Sequence, residues 1–280
     1  RDRLRSRGLG DVYKRQLLGV AAFMLALSAH AQDNPLWMRY CAISPDGTSI
    51  AFTYKGDIYT VPVNGGKAAQ ITTNAAHDTH PVWSPDGKQI AFASDRMGSM
   101  DIFVVDREGG IPKRLTTHSG NETPVAFKDA DHILFLANVM PSAEDAQFPS
   151  GQFQQVYEVS TTGDRPVMFS SMPMEDISIN KTGNALLYHD KKGYEDPWRK
   201  HHTSSITRDI WLCPLDGKRS YRKLTSFNGE DRTPVWASDG KSFYYLSEEK
   251  GSFNVFKRAL DGTSSTQLTH HTKHPVRFLT

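Results

Sequence analysis

The side chains in this sequence best suited to chemistry are His77, His80, Glu122, Asp196, Arg199, His201, His202, Asp231, Arg232, His271 and His274. Histidines titrate near neutrality and ligate metals, carboxylates move protons, and arginines grip carboxylates. Their spacing follows no HExxH, CxxC or EF-hand pattern, so no metal site and no cofactor is expected. Solvated loop side chains are the simpler account. The chemistry left to them is contact with a ligand, and His77, His80, Glu122, Arg199, His201, His202, Asp231, Arg232 and His274 are expected on substrate-facing loops. The run from Tyr194 to His202 mixes aromatic and charged residues as a contact surface would. It suits equally a loop that packs Trp198 over its own sheet. No GxSxG elbow and no Gly-rich phosphate loop occurs, so no catalytic residue is assigned.

The elements that must position these side chains repeat along the chain. The turn Ser84-Pro85-Asp86-Gly87 recurs as Ser44-Pro45-Asp46-Gly47 and as Ala237-Ser238-Asp239-Gly240, with degenerate copies at 128–131 and 180–183. Proline presets φ and glycine accepts the left-handed exit, so each marks a hairpin. A β-branched residue followed by an aromatic one recurs as Ile58-Tyr59, Ile102-Phe103, Val156-Tyr157, Ile210-Trp211 and Val255-Phe256. The two point to opposite faces of a strand. A short fourth strand ends in Ile71-Thr72, Leu115-Thr116, Leu224-Thr225 and Leu268-Thr269, and is degenerate around Met168-Phe169.

Each unit therefore holds four strands, and a single small sheet cannot bury both of its faces. Gly47 and Gly87 lie 40 residues apart, close to the ~40–45 of a propeller blade. The expected fold is all-β: a β-propeller of five complete four-stranded blades, with His274 to Phe278 starting a sixth, a fragment of a six-bladed ring. A β-sandwich would not repeat at a fixed period. Two insertions, near 137–153 and 190–208, fall between second and third strands, on the end of the channel that also carries the links between blades. Insertions gathered on one face of a repeat array mark its working side.

Ahead of the repeats, Leu17 to Ala29 is apolar and too short to span a bilayer, and Ala29-His30-Ala31 fits a signal-cleavage site. Residues 1–31 are set apart as an Arg-rich, non-native-looking leader plus secretory signal, cleaved near Ala31 and Gln32. Residues 32–280 form the propeller, placed in the periplasm or outside the cell with no stable membrane insertion. Without residues 1–31 the chain keeps 27 basic against 29 acidic side chains, a net charge of −2, which gives no support to nucleic-acid binding. Cys41 and Cys213 fall in units one and four, too far apart to bridge, and are expected as free, mostly buried thiols.

The units HPVWSPDGKQIAFASDRMGSMDIFVV and TPVWASDGKSFYYLSEEKGSFNVFKRALDG resemble the WD-like repeats of periplasmic Tol-associated propellers and of tricorn-type proteases. The opening NPLWMRYCAISPDGTSIAFTYKGDIYTVPVNGGKAAQIT and the segment DPWRKHHTSSITRDIWL are most similar to the N-terminal propeller of secreted tricorn-like serine proteases. That resemblance implies a propeller that admits or sorts peptide substrates. It also implies protease domains C-terminal in the same polypeptide: a second propeller, a PDZ domain and a serine-bearing core. None of the family's catalytic positions has a counterpart, so the propeller itself is expected to be inactive. A stand-alone Tol-type scaffold for protein partners and the propeller of a prolyl-oligopeptidase-like enzyme are the alternatives. An unfinished sixth blade would leave strand edges open and favour homo-oligomers.

Overall fold

The structure is a computed structural model that describes residues 37–138, 153–193, 206–218 and 220–280. The leader and signal, most of both insertions, and Asp196, Arg199, His201 and His202 lie outside the described residues. Residues 38–280 make one compact unit.

Among the described residues, twenty strands assemble into five antiparallel sheets of four. Blade one comprises β1 (Arg39–Ile43), β2 (Ser49–Tyr54), β3 (Asp57–Pro62) and β4 (Ala69–Gln70), and blade two comprises β5 (Asp78–Trp83), β6 (Gln89–Ser94), β7 (Asp101–Asp106) and β8 (Lys113–Arg114). Blade three holds β9 (Glu122–Phe127), β10 (His132–Ala137), β11 (Gln155–Ser160) and β12 (Val167–Ser170). Blade four holds β13 (Met174–Ile179), β14 (Ala185–Asp190), β15 (Ile210–Pro214) and β16 (Arg222–Lys223), and blade five β17 (Asp231–Trp236), β18 (Ser242–Ser247), β19 (Asn254–Ala259) and β20 (Ser265–Gln267). The degenerate outer strand of unit three is thus a full strand, longer than its counterparts. None of the described residues forms a helix long and apolar enough to cross a membrane.

The hairpin turns form as their residue types require. Gly87 N–H donates to the Ser84 carbonyl at 2.9 Å with φ +69°, and Ser84 Oγ donates to Asp86 Oδ1 at 2.7 Å. Each outer-strand threonine closes its sheet. Ile58, Ile102, Ile210 and Val255 N–H groups donate to the hydroxyls of Thr72, Thr116, Thr225 and Thr269 at 2.9–3.1 Å. The repeated threonine ends a two- or three-residue strand by satisfying a main-chain donor that the short ladder leaves over.

The aromatic of each third strand holds one register throughout, opposite an aromatic of the second: Phe52↔Tyr59, Phe92↔Phe103, Phe135↔Tyr157, Tyr188↔Trp211 and Tyr245↔Phe256. This face packs on the β-branched face of the preceding blade. Ala51 and Ile58 meet Phe92 and Phe103, and Ile102 and Val104 meet Phe135 and Tyr157. Val156 and Leu136 meet Tyr188, and Ile210 and Leu187 meet Tyr245 and Phe256. Trp83 and Trp236 fasten their junctions further, each donating its indole N–H at 3.0 Å to a carbonyl one blade back, Ala42 and Ser178 respectively.

The packing runs from blade one to blade five, and the two outward faces show it. Ile43, in the Trp83 position, is 46% exposed where Trp83 is 8%. Tyr59 and Val255 are likewise only half-buried. Cys213 is buried as expected, but Cys41 is exposed, because β1 has no preceding blade over it among the described residues. The stretch from His274 to Phe278 forms no strand. Val276 N–H donates once, to Phe253 O at 2.9 Å, and no described strand offers it a continuous ladder.

Equal chemistry at unequal burial yields a test. Phe103→Ala should cost about 3–5 kcal/mol, and Tyr59→Ala, in the same register but half-exposed, roughly half of that or less. Equilibrium urea unfolding of both variants checks the ratio, and equal losses would contradict the stacking order.

Candidate functional site

The inner strands β1, β5, β9, β13 and β17 converge on one cavity of about 770 Å³, which residues 277–280 also line. Strand edges in a sheet carry unpaired main-chain groups, and five such edges face this channel. Four of the five inner strands break register at the same place. Pairing skips two residues between Arg39 and Ala42, Thr79 and Val82, Glu175 and Ser178, and Arg232 and Val235. At the start of each break stands a non-glycine residue in the left-handed region: Tyr40 at φ +52°, His80 at +54°, Asp176 at +48° and Thr233 at +51°. Blade three differs for a physical reason. Its residue in that position is Pro124, whose ring fixes φ near −65°, and the break moves one residue on.

All four left-handed residues line the channel. Tyr40 and His80 meet with ring centroids 3.6 Å apart and planes tilted by 31°, and Thr233 Oγ1 donates to Asp176 Oδ2 at 2.7 Å. Burial pushes the His80 imidazole down to about 4, against the opposing pull of Asp176, and leaves it neutral at pH 7.

Behind them lies a charged network. Thr233 N–H donates to His189 Nδ1 at 3.2 Å, which leaves Nε2 as the protonated nitrogen, facing Glu175 Oε2 at 3.2 Å. Lys191 Nζ reaches Glu175 Oε1 at 2.8 Å, and Arg208 spans Glu230 at 2.9 Å and Glu175 at 3.5 Å. Burial alone would raise the Glu175 carboxyl, but the hydrogen bonds of His189 and Lys191 and the Lys191 charge outweigh it and hold it at about 2. Arg232 lies 3.6 Å from Glu230 with its guanidinium 4.0 Å over the Phe253 ring. Burial and the neighbouring Arg208 lower its pKa.

Of the residues singled out in the sequence, His80 and Arg232 line this channel. His77, His271 and His274 are exposed, with the His77 N–H donating to Asp95 and the His271 N–H to Asn254. Glu122 and Asp231 are buried at the starts of β9 and β17. Thr116 Oγ1 donates to Glu122, and Thr225 and Ser247 hydrogen-bond Asp231. Burial raises Glu122 to about 7 and Asp231 to about 6. Tyr40, Glu175, Asp176, His189, Arg208 and Thr233 were missed. Register alone could have found Tyr40, Asp176 and Thr233, since the bulge position carries a different residue type in every blade, and Glu175, His189 and Arg208 share no such position. Among the described residues no cluster of three or more His, Cys, Asp or Glu side chains could hold a metal.

The profile described as "Tricorn protease N-terminal beta propeller domain" matches residues 35–280. Tricorn protease homolog 1 of Streptomyces coelicolor is 25% identical over 85% of the chain, which spans only 21% of that relative's length. Among solved structures, the tricorn protease superposes with a TM-score of 0.66 at 19% identity, covering 86% of this chain and 23% of that one. A putative TolB from Agrobacterium tumefaciens gives 0.64 at 14% identity over 82% and 80%. These likenesses in structure show the fold.

Buried Glu122 and half-buried Glu175 predict opposite pH responses. Glu122 has its folded pKa raised, so its contribution is complete below the unfolded value of about 4.5 and is lost as pH rises through about 7. Glu175 is depressed, so its contribution is complete above that unfolded value and lost as pH falls through about 2. The melting midpoint of Glu122→Gln should gain on the parent between pH 5 and pH 8, read by thermal melts across that range. A constant difference would refute the assignment.

Proposed function

Because the chain belongs to the tricorn protease N-terminal β-propeller family, we propose that it is the non-catalytic propeller of a secreted tricorn-like serine peptidase. It admits or sorts peptide substrates for a catalytic core in C-terminal domains of the same polypeptide. The observation that carries this reading is the channel. Five inner strands bring aromatic, hydroxyl, carboxylate and guanidinium groups to one cavity of about 770 Å³, a volume in the range of ligand pockets. The loops expected to bear Arg199, His201 and His202 belong to the same substrate-handling role. The apolar run from Leu17 to Ala29 supports export to the periplasm or beyond. The half-exposed outward faces of blades one and five favour self-association of the isolated chain.

A second reading, a scaffold for folded protein partners, is favoured by the TolB likeness, which covers most of that chain. Binding separates the two. The chain should bind unstructured peptides saturably in fluorescence anisotropy and hydrolyse none of them, with products followed by mass spectrometry. Hydrolysis by the chain alone would overturn its non-catalytic role. Absence of peptide binding would favour the scaffold.

A further inference from the structure

The left-handed bulges are a cost that the propeller does not need for its own stability. A non-glycine residue at positive φ is held against its preference, most of all a β-branched one such as Thr233 or a bulky one such as Tyr40. His80 and Thr233 also precede prolines, Pro81 and Pro234, which further restricts them to extended backbone. Blade three shows that an inner strand can be built without this conformation, since Pro124 excludes it and β9 still pairs with β10 over its length. What the position offers is access to the channel, which all four left-handed residues line and which Pro124 lines at the same position of β9.

The ring so formed has a definite chemistry. Asp176 accepts, the Thr233 and Tyr40 hydroxyls donate and accept, and His80 offers a neutral imidazole with Nδ1 beside the Thr79 hydroxyl at 3.1 Å. The ring supplies both donors and acceptors, with Asp176 as its one charged member and Arg39, Arg208, Arg232 and Arg277 elsewhere on the same cavity wall. A polypeptide main chain presents one donor and one acceptor per residue whatever its sequence, and is the ligand such a ring fits. Resting on the peptide-handling reading above, we infer that Tyr40, His80, Asp176 and Thr233 are the binding ring of the channel and hold an extended peptide through its main chain.

Thermal melts and fluorescence anisotropy on the full chain test this together. Tyr40→Gly and Thr233→Gly should leave the melting midpoint unchanged or raise it, because glycine adopts the conformation freely, while Thr60→Gly at an ordinary strand position lowers it. Both bulge variants should weaken labelled unstructured peptides by about tenfold or more. Acidic and basic peptides should both bind, and N-methylation of alternate main-chain amides should weaken each. If the glycine variants bind as the parent does, the ring is not the site although peptide handling stands. If they melt as low as Thr60→Gly, the bulges are structural and the inference fails. Binding of one charge sign only, insensitive to N-methylation, overturns main-chain recognition. No peptide binding by the parent overturns this inference and the proposed function together.

Discussion

Everything in this structure depends on one packing relation: the β-branched face of each blade against the aromatic face of the next. A four-stranded sheet of short strands has two apolar faces and too little area to bury either alone. Ile102 at the centre of one interface and Phe103 at the centre of the adjoining one are consecutive residues, so a slip of one residue would exchange them and spoil two interfaces at once. The register is therefore rigid through the middle of every blade. The indole bridges from Trp83 to Ala42 and from Trp236 to Ser178 extend that rigidity to the inner strands, fixing where the channel wall stands.

A rigid middle lets the inner edge vary. Each first strand must enter the same interface at its C-terminal half, where Trp83, Phe127 and Trp236 sit, and pair with the second strand at its N-terminal half. A bulge separates the two halves in every blade, left-handed in four of them and moved one residue on at Pro124 in the third. Side chains there are released from packing, so aromatic, imidazole, carboxylate and hydroxyl groups can occupy one structural position in different blades.

That division explains what was legible in the sequence. The blade count, the Ser-Pro-Asp-Gly hairpins and the branched-aromatic pairs were readable because packing demands the same residue types each time. The repeated threonine was visible too, but not its purpose, since its hydrogen bond to Ile58 or Ile102 crosses 14 residues. The site was mostly hidden because its members share a backbone position and nothing else. His80 reads from the sequence as a loop histidine, although it belongs to β5. Tyr40, Asp176 and Thr233 were passed over for want of any motif. Glu122 and Asp231 drew notice as carboxyls with chemistry to offer, and the structure puts both in blade interfaces instead.

The contrast between those interface acids and Glu175 separates scaffold from site on electrostatic grounds. Glu122 and Asp231 are buried with hydroxyl partners, Thr116 for one and Ser247 and Thr225 for the other, and hydroxyls do not repay the desolvation of a charge, so both carboxyls are pushed up. Glu175 is also removed from water, but Lys191, Arg208 and His189 converge on it, and it is held ionised. A carboxyl so raised takes up a proton more readily, and once protonated acts as one more hydrogen-bonding group between blades. An ionised one in the channel wall anchors His189, and through His189 the main-chain N–H of Thr233, at the bulge where the wall turns to face its ligand. Charge is thus held more firmly at Glu175, where cations meet it, than at Glu122 and Asp231, where hydroxyls do.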